Sequence, residues 1–155
     1  MGTPLGVPPA TVEIVKRFEG FHRVVSRTPE VTAVPYLCPA LLWTIGWGSL
    51  CAQGRAPIKQ TEGEVLLTRD LNEALAQTVR LCPTLLAEPQ RRLAAVVDFT
   101  FNLGAGRLAA STLRKRIASA DWRAAAAELR KWVWGGGRKL PGLIARREVE
   151  AGMIV

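Results

Sequence analysis

The sequence predicts an α+β fold that is mostly helical: a small β region near the start, one long helix after it, and a helical remainder. Three observations carry this. Phe21 to Leu50 is rich in β-branched and aromatic residues and is punctuated by Pro29, Pro35 and Pro39, the composition of a small antiparallel sheet. Leu67, Leu71, Leu75 and Val79 then recur every four residues, the spacing of one helix face. Beyond Cys82-Pro83, apolar residues keep a helical spacing to the end of the chain.

The elements follow in order. Val12, Val15, Phe18 and Phe21, with Ile14, fall at helical spacing, with Thr11 placed to cap the start and Gly20 suited to the left-handed position after the end. This short helix carries Glu19 in its last turn. A carboxyl there meets the negative end of the helix dipole, which suits it to carrying a proton. The stretch around Val24 to Val34 reads as two β-branched runs about a Thr28-Pro29 turn. In Trp43-Thr44-Ile45-Gly46-Trp47-Gly48 the two glycines let the backbone approach a ligand closely. Trp43 reads as core, whereas Trp47 suits either the core or stacking on a sugar ring. Residues 51–57 read as loop.

Thr61-Glu62-Gly63-Glu64 has the form of a capping box. It opens a helix of about twenty residues, near 30 Å at ~1.5 Å per residue, that breaks at Cys82-Pro83. Further helices are predicted from Pro89 to Asn102 with Leu93, Val96, Val97 and Phe101 inward, from Ser111 to Ser119, from Asp121 to Trp134, and from Pro141 to about Met153. Asn102 suits either a helix C-cap or an amide turned toward a ligand, and Gly135-Gly136-Gly137 reads as a hinge or tight loop.

With 155 residues the chain is long enough to bury a core, and its length suits one domain, which can itself be two-lobed. No run of eighteen apolar residues is present to span a bilayer as a helix. The stretch Met1 to Ala10 has three prolines and no basic n-region, so it is not expected to act as a secretory signal. The cysteines are Cys38, Cys51 and Cys82, an odd number, and the chain has one histidine, His22, and no Cys-x-x-Cys. Metal-ligand spacing is therefore absent, and neither a metal nor another cofactor is expected.

The net charge of +8 is unevenly placed. Residues 1–106 carry 10 basic and 9 acidic side chains, whereas residues 107–147 carry 11 basic and 2 acidic ones. Such a surface concentrates polyanions, and salt weakens the effect. Nucleic acid, anionic lipid and bacterial wall polymers all fit it, as does a merely solvated face.

Glu19, Cys38 and Thr44 resemble the Glu, Asp-or-Cys, Thr catalytic set of the phage-type lysozymes, glycoside hydrolase family 24. Trp43-Thr44-Ile45-Gly46-Trp47-Gly48 is similar to that family's Trp-Thr-Ile-Gly-Tyr-Gly run. The resemblance continues through Asp98-Phe99-Thr100-Phe101-Asn102-Leu103-Gly104, Ser111-Thr112-Leu113 and Gly136-Gly137-Arg138-Lys139-Leu140-Pro141-Gly142-Leu143, with Arg146-Arg147-Glu148. One departure is a longer segment between Glu19 and Cys38, eighteen residues in place of about eight, read as an added hairpin or flap.

The resemblance implies a lysozyme-like domain over 1–155, with a small lobe over 1–60, a connecting helix over 61–81 and a helical lobe over 82–155. It implies a bacteriophage endolysin that hydrolyses β-1,4 bonds between N-acetylmuramic acid and N-acetylglucosamine in peptidoglycan. Glu19 is then the general acid and Thr44 holds the attacking water, while Cys38 stands where relatives often have Asp. Gly46, Trp47 and Asn102 are expected to contact the glycan. An ordinary thiol titrates above neutral pH and is a poorer base than a carboxylate, so Cys38 is expected to position water or act as a thiolate. A disulfide from Cys38 to Cys51 or Cys82 would then remove activity. Partners are expected to be glycan strands and anionic envelope polymers, with no nucleic acid, no stable membrane insertion and a monomeric state. The protein is expected in the host cytoplasm, reaching the periplasm or wall at lysis with a holin's help. A lytic transglycosylase, or a cationic protein that acts on membranes or nucleic acid without catalysis, are the alternatives.

Overall fold

A computed structural model describes residues 5–155, so the part of the leader expectation that rests on Met1 to Pro4 lies outside them. The chain forms two compact units: Val15–Asp70, and the chain up to Ile14 together with Leu71–Val155. The boundaries fall inside helices α1 (Pro9–Glu19) and α2 (Gln60–Leu81), each of which contributes residues to both units.

Helix α1 starts with Pro9, whose missing N–H costs nothing in the first turn. Thr11 is therefore not its cap. It lies inside the first turn, fully buried, and its hydroxyl donates to the Ala94 carbonyl at 3.1 Å.

The Val15–Asp70 unit holds two three-stranded antiparallel sheets in place of the one expected. One consists of β1 (Val24–Ser26), β2 (Thr32–Ala33) and a later strand, β6 (Ile58–Lys59), in that order. The added segment is thus a hairpin, as its two β-branched runs predict, with Val24 opposite Ala33. The other sheet is formed by β3 (Tyr36–Leu37), β4 (Trp43–Ile45) and β5 (Ser49–Leu50). Ala33, Ile45, Trp47, Ile58 and Leu67 are buried in this unit.

The long helix begins two residues earlier than its capping box predicts. β6 pairs with β2, and the Gln60 N–H donates to the Val31 carbonyl, so the chain passes from strand directly into helix. The reciprocal bond of the cap runs from the Lys59 N–H to the Glu62 carboxylate at 2.8 Å, while Glu64 pairs with Lys16.

Gly63 in α2 is buried, and a Cβ there would lie 2.7 Å from the Phe21 ring and 3.1 Å from Trp47. Gly63→Ala should therefore destabilise the fold by about 1–3 kcal/mol through overpacking, even though Ala is favoured over Gly by about 1 kcal/mol in an open helix. A denaturant midpoint equal to or above the parent's would show that the site has room.

The other unit is built on α3 (Gln90–Leu103), α4 (Ala105–Ala110), α5 (Thr112–Ala118), α6 (Trp122–Leu129) and α7 (Pro141–Ile154), with a 3-10 turn at Pro83–Ala87. Its core contains Leu75, Leu93, Val96, Val97, Phe99, Leu113, Ile117, Leu129 and Ile154. Ser111 and Asp121 cap α5 and α6, accepting from the N–H groups of Arg114 and Ala124. Helix α4 was not predicted, because Gly104 and Gly106 give that stretch the composition of a loop. Helix α6 stops at Leu129 and does not run to Trp134. Trp134–Gly135 and Arg138–Lys139 instead pair as strands β7 and β8, and Gly136 and Gly137, with φ of 57° and 77°, supply the two left-handed residues of the turn.

Candidate active site

Glu19 is the last residue of α1, and Gly20, at φ 70°, turns the chain away from the helix. Two contacts then tie the following residues to the turn after β4. The Phe21 ring lies 4.7 Å from the Trp47 ring, and the His22 N–H donates to the Gly46 carbonyl at 3.2 Å. Gly46 and Gly48 both have positive φ, 64° and 90°, as this tight turn requires. A Cβ on Gly48 would sit 3.5 Å from Glu19 Oε2. The glutamate carboxylate thus lies alongside the backbone of the turn that follows Thr44.

Thr44 sits in the middle of its sheet, opposite Tyr36 on one side and Leu50 on the other. It is buried at 4% exposure, and its hydroxyl donates to the Tyr36 carbonyl at 3.3 Å. Leu50, 64% exposed, stands beside it as an apolar wall. Cys38 follows β3 by one residue and is half-buried, with its N–H donating to the Leu42 carbonyl at 2.9 Å. The turn that holds it, Cys38 to Leu41, places Leu41 at φ 60° and 75% exposure. A left-handed leucine costs about 1–2 kcal/mol, so this turn is maintained against a local preference.

Tyr36 is the residue that motif reading passes over. It pairs with Thr44, precedes Cys38 by two residues, and its ring centroid lies 5.3 Å from that of His22 with the planes tilted by 59°. Burial first, and then the negative charges that Glu19, Cys38 and Cys51 can carry, push its phenol up, with Thr44 opposing. Its hydroxyl therefore stays a hydrogen-bond donor across the neutral range. That it is the only tyrosine of the chain, two residues before Cys38, is the signal that was available in the sequence.

The three cysteines are unpaired. Backbone bonds place Cys38 against Leu42 and Cys51 against Trp43 on opposite sides of β4. Two strand spacings are roughly 10 Å, beyond the ~7 Å between Cα atoms that a disulfide allows. Cys82 belongs to the helical core, where burial pushes its thiol up to about 11.

Trp47, expected to contact glycan or fill the core, is 4% exposed, with Lys16 Nζ 4.9 Å from its ring centroid. It braces the turn from behind. Trp43, assigned to the core, is half-buried. Asn102 belongs to the helical unit, where its side-chain oxygen accepts from Arg147 Nη2 at 2.9 Å. Helix α3 ends one residue later, so Asn102 is not its C-cap, a place taken by Gly104 at φ 91°. No group of three or more His, Cys, Asp or Glu among the described residues has the geometry to hold a metal ion.

Asn102 adjoins a buried ionic cluster. Arg146 binds Asp98 with two bonds, 2.9 and 2.7 Å, and Arg147 donates to Glu150 at 2.7 Å. All four side chains are essentially inaccessible. Glu150 Oε2 and two nitrogens of Arg147 have no hydrogen-bond partner, although the Phe99 ring faces the Arg147 guanidinium at 5.4 Å. Burial, and then hydrogen bonding to Asp98, hold the Glu150 carboxyl well above the ordinary range against the pull of Arg147. A proton on Oε2 directed at Asp98 accounts for both observations.

Residues 16–150 match the family described as Phage lysozyme, a span that includes Glu19, Cys38 and Thr44. The chain belongs to the phage lysozyme family. An endolysin of Acyrthosiphon pisum secondary endosymbiont phage 1 is 32% identical over 144 residues, covering 88% of this chain and 89% of its own length. A SAR-endolysin of bacteriophage PS119 is 35% identical over 92 residues, 59% of this chain and 53% of that protein. The endolysin of Bacillus phage B103 is 30% identical over 148 residues, 94% of this chain and 52% of that protein. The chain thus spans about half the length of the latter two. Among solved structures, the muramidase domain of SpmX from Asticaccaulis excentricus superposes with a TM-score of 0.78 at 25% identity, covering 96% of this chain and 97% of that one. The active form of P1 phage endolysin Lyz shares the fold at a TM-score of 0.76 and 20% identity, covering 97% and 85%. Family membership makes the lysozyme-like fold the frame for the site.

Proposed function

We propose that the chain is an endolysin, an N-acetylmuramidase that hydrolyses the β-1,4 bonds between N-acetylmuramic acid and N-acetylglucosamine in peptidoglycan. The observation that supports this best is the placement of Glu19 Oε2 against Gly48, on the turn that Thr44 leads into. Hydrolysis requires a proton on the leaving glycosidic oxygen and a water on the opposite face of the sugar if configuration inverts. Glu19 supplies the proton. The Thr44 hydroxyl, held by its hydrogen bond to the Tyr36 carbonyl, orients the attacking water. Cys38, one residue past β3, orients that water from the side. Leu50 offers an apolar surface to the sugar ring, while Trp47 acts by holding Gly46 and Gly48 in place. Asn102 is kept as a glycan contact through its side-chain amide NH2.

The protein is made in the host cytoplasm, passes to the wall with a holin, and acts there as a monomer. No helix among the described residues is long and apolar enough to cross a membrane. Anionic envelope polymers are the partners of its cationic surface.

Mass spectrometry of fragments released from purified peptidoglycan tests the reaction. Reducing-end N-acetylmuramic acid is expected; 1,6-anhydro sugars would move the protein to the lytic transglycosylases. In the same assay Cys38→Ser should lower turnover by roughly 10- to 100-fold through misplaced water. Full activity in that variant would leave Cys38 with a structural role only.

A further inference from the structure

The hairpin β7–β8 presents chemistry that glycan cleavage leaves unused. Trp134 is 59% exposed, the most exposed aromatic among the large apolar side chains at the surface. Its cross-strand neighbour is Lys139, and the ammonium lies 5.5 Å from the indole centroid. Arg138 pairs with Gly135 and is exposed, and the tip between the strands is Gly136-Gly137. Neither Arg138 nor Lys139 has an acidic partner among the described residues, in contrast to Arg130 and Lys131 just before the hairpin, which pair with Glu148 and Glu128. An exposed indole beside two unneutralised cations, on a turn with no side chains at its tip, is an amphipathic prong.

We propose that this hairpin docks the protein on anionic phospholipid bilayers, with Trp134 at headgroup depth and Arg138 and Lys139 against lipid phosphates. Charge complementarity points to this partner, because the surrounding segment 107–147 carries 11 basic and 2 acidic residues, and all of the basic ones except the buried Arg146 and Arg147 are exposed. The indole selects among polyanions. A soluble polymer rich in carboxylate or phosphate uses the cations and leaves the ring in water, whereas a membrane interface takes up both the ring and the cations. One ring face already carries the Lys139 ammonium, which disfavours stacking of a neutral sugar there.

Co-sedimentation of the full chain with phosphatidylcholine vesicles, and with vesicles one third phosphatidylglycerol, is the test. Partitioning should favour the anionic vesicles and fall as salt rises. Each cation removed should weaken it about fivefold, so that Arg138→Gln with Lys139→Gln loses roughly 25-fold. Trp134→Ala should also weaken it, and replacing the exposed pair Arg116 and Arg123 by Gln should do so less than the hairpin pair does. Equal partitioning onto both vesicle types overturns the proposal, as does an equal loss from the Arg116 and Arg123 pair. Wild-type vesicle binding by Trp134→Ala with lost retention on purified peptidoglycan would also overturn it and assign the ring to glycan. Thermal melts of the hairpin variants should match the parent's, since the side chains are exposed.

Discussion

Glu19→Gln should lower turnover on purified peptidoglycan by about 10²- to 10⁴-fold, the range over which a positioned general acid contributes. The amide keeps the shape of the side chain beside Gly48 but has no proton to give the leaving oxygen. The assay is turbidity loss of purified sacculi, with circular dichroism melts alongside so that a folding defect is not mistaken for a chemical one. Equal clearing by parent and variant would remove Glu19 from the chemistry and return the activity to the cationic surface of residues 107–147. Residues 107–155 alone would then be expected to keep it.

The second large effect lies in the helical unit. Asp98→Ala removes both bonds that Arg146 makes to that carboxylate, in a site with no access to water. Breaking one side of such a pair costs about 3–5 kcal/mol, which for a chain of this size lowers the melting temperature by roughly 6–20 °C. A melt within 2 °C of the parent would show that the pair is compensated from elsewhere.

Glu150→Gln provides the contrast, because a glutamine reproduces a protonated glutamate: its oxygen can accept from Arg147 and its amide can donate to Asp98. At neutral pH it should melt within about 1 kcal/mol of the parent or above it. The sign with pH follows from a folded-state carboxyl held above its unfolded value by burial. The stability contributed by that bound proton is complete below the unfolded value, near the ordinary glutamate range, and is lost as pH rises toward the folded value. The parent should therefore lose stability relative to Glu150→Gln as pH rises from about 4. A variant that is several kcal/mol less stable at neutral pH would mean that Glu150 is ionised.

Much of the site was legible because its residues are close in sequence. Thr44, Gly46 and Gly48 lie on one strand and turn, and Cys38 reaches Thr44 through a five-residue connection and one strand pairing. Residues contributed by pairing were less legible. Tyr36 enters through its register with Thr44, and the sequence marks it only as the single tyrosine, two residues before Cys38. Trp47 was ambiguous for a similar reason, since an aromatic residue between two glycines suits a ligand face or a core equally until Phe21 and Lys16 are seen against it. The ionic cluster of Asp98, Arg146, Arg147 and Glu150 could not be read as buried, because charged side chains are ordinarily solvated and only their assembly from two helices removes the water.

By itself the sequence determined the mixed, mostly helical class, the hairpin inserted after Glu19, the long helix to Leu81 and the caps at Ser111 and Asp121. Each of these rests on local forces: side-chain periodicity, φ preferences and hydrogen bonds across three or four residues. The tertiary structure decided where β6 hands over to α2, that Thr11 is buried in a helix, that α6 yields to a hairpin at Trp134, and that Glu19 lies against Gly48. These outcomes depend on strand pairing and on burial by segments distant in sequence, whose free energies exceed the few tenths of a kcal/mol by which local propensities differ.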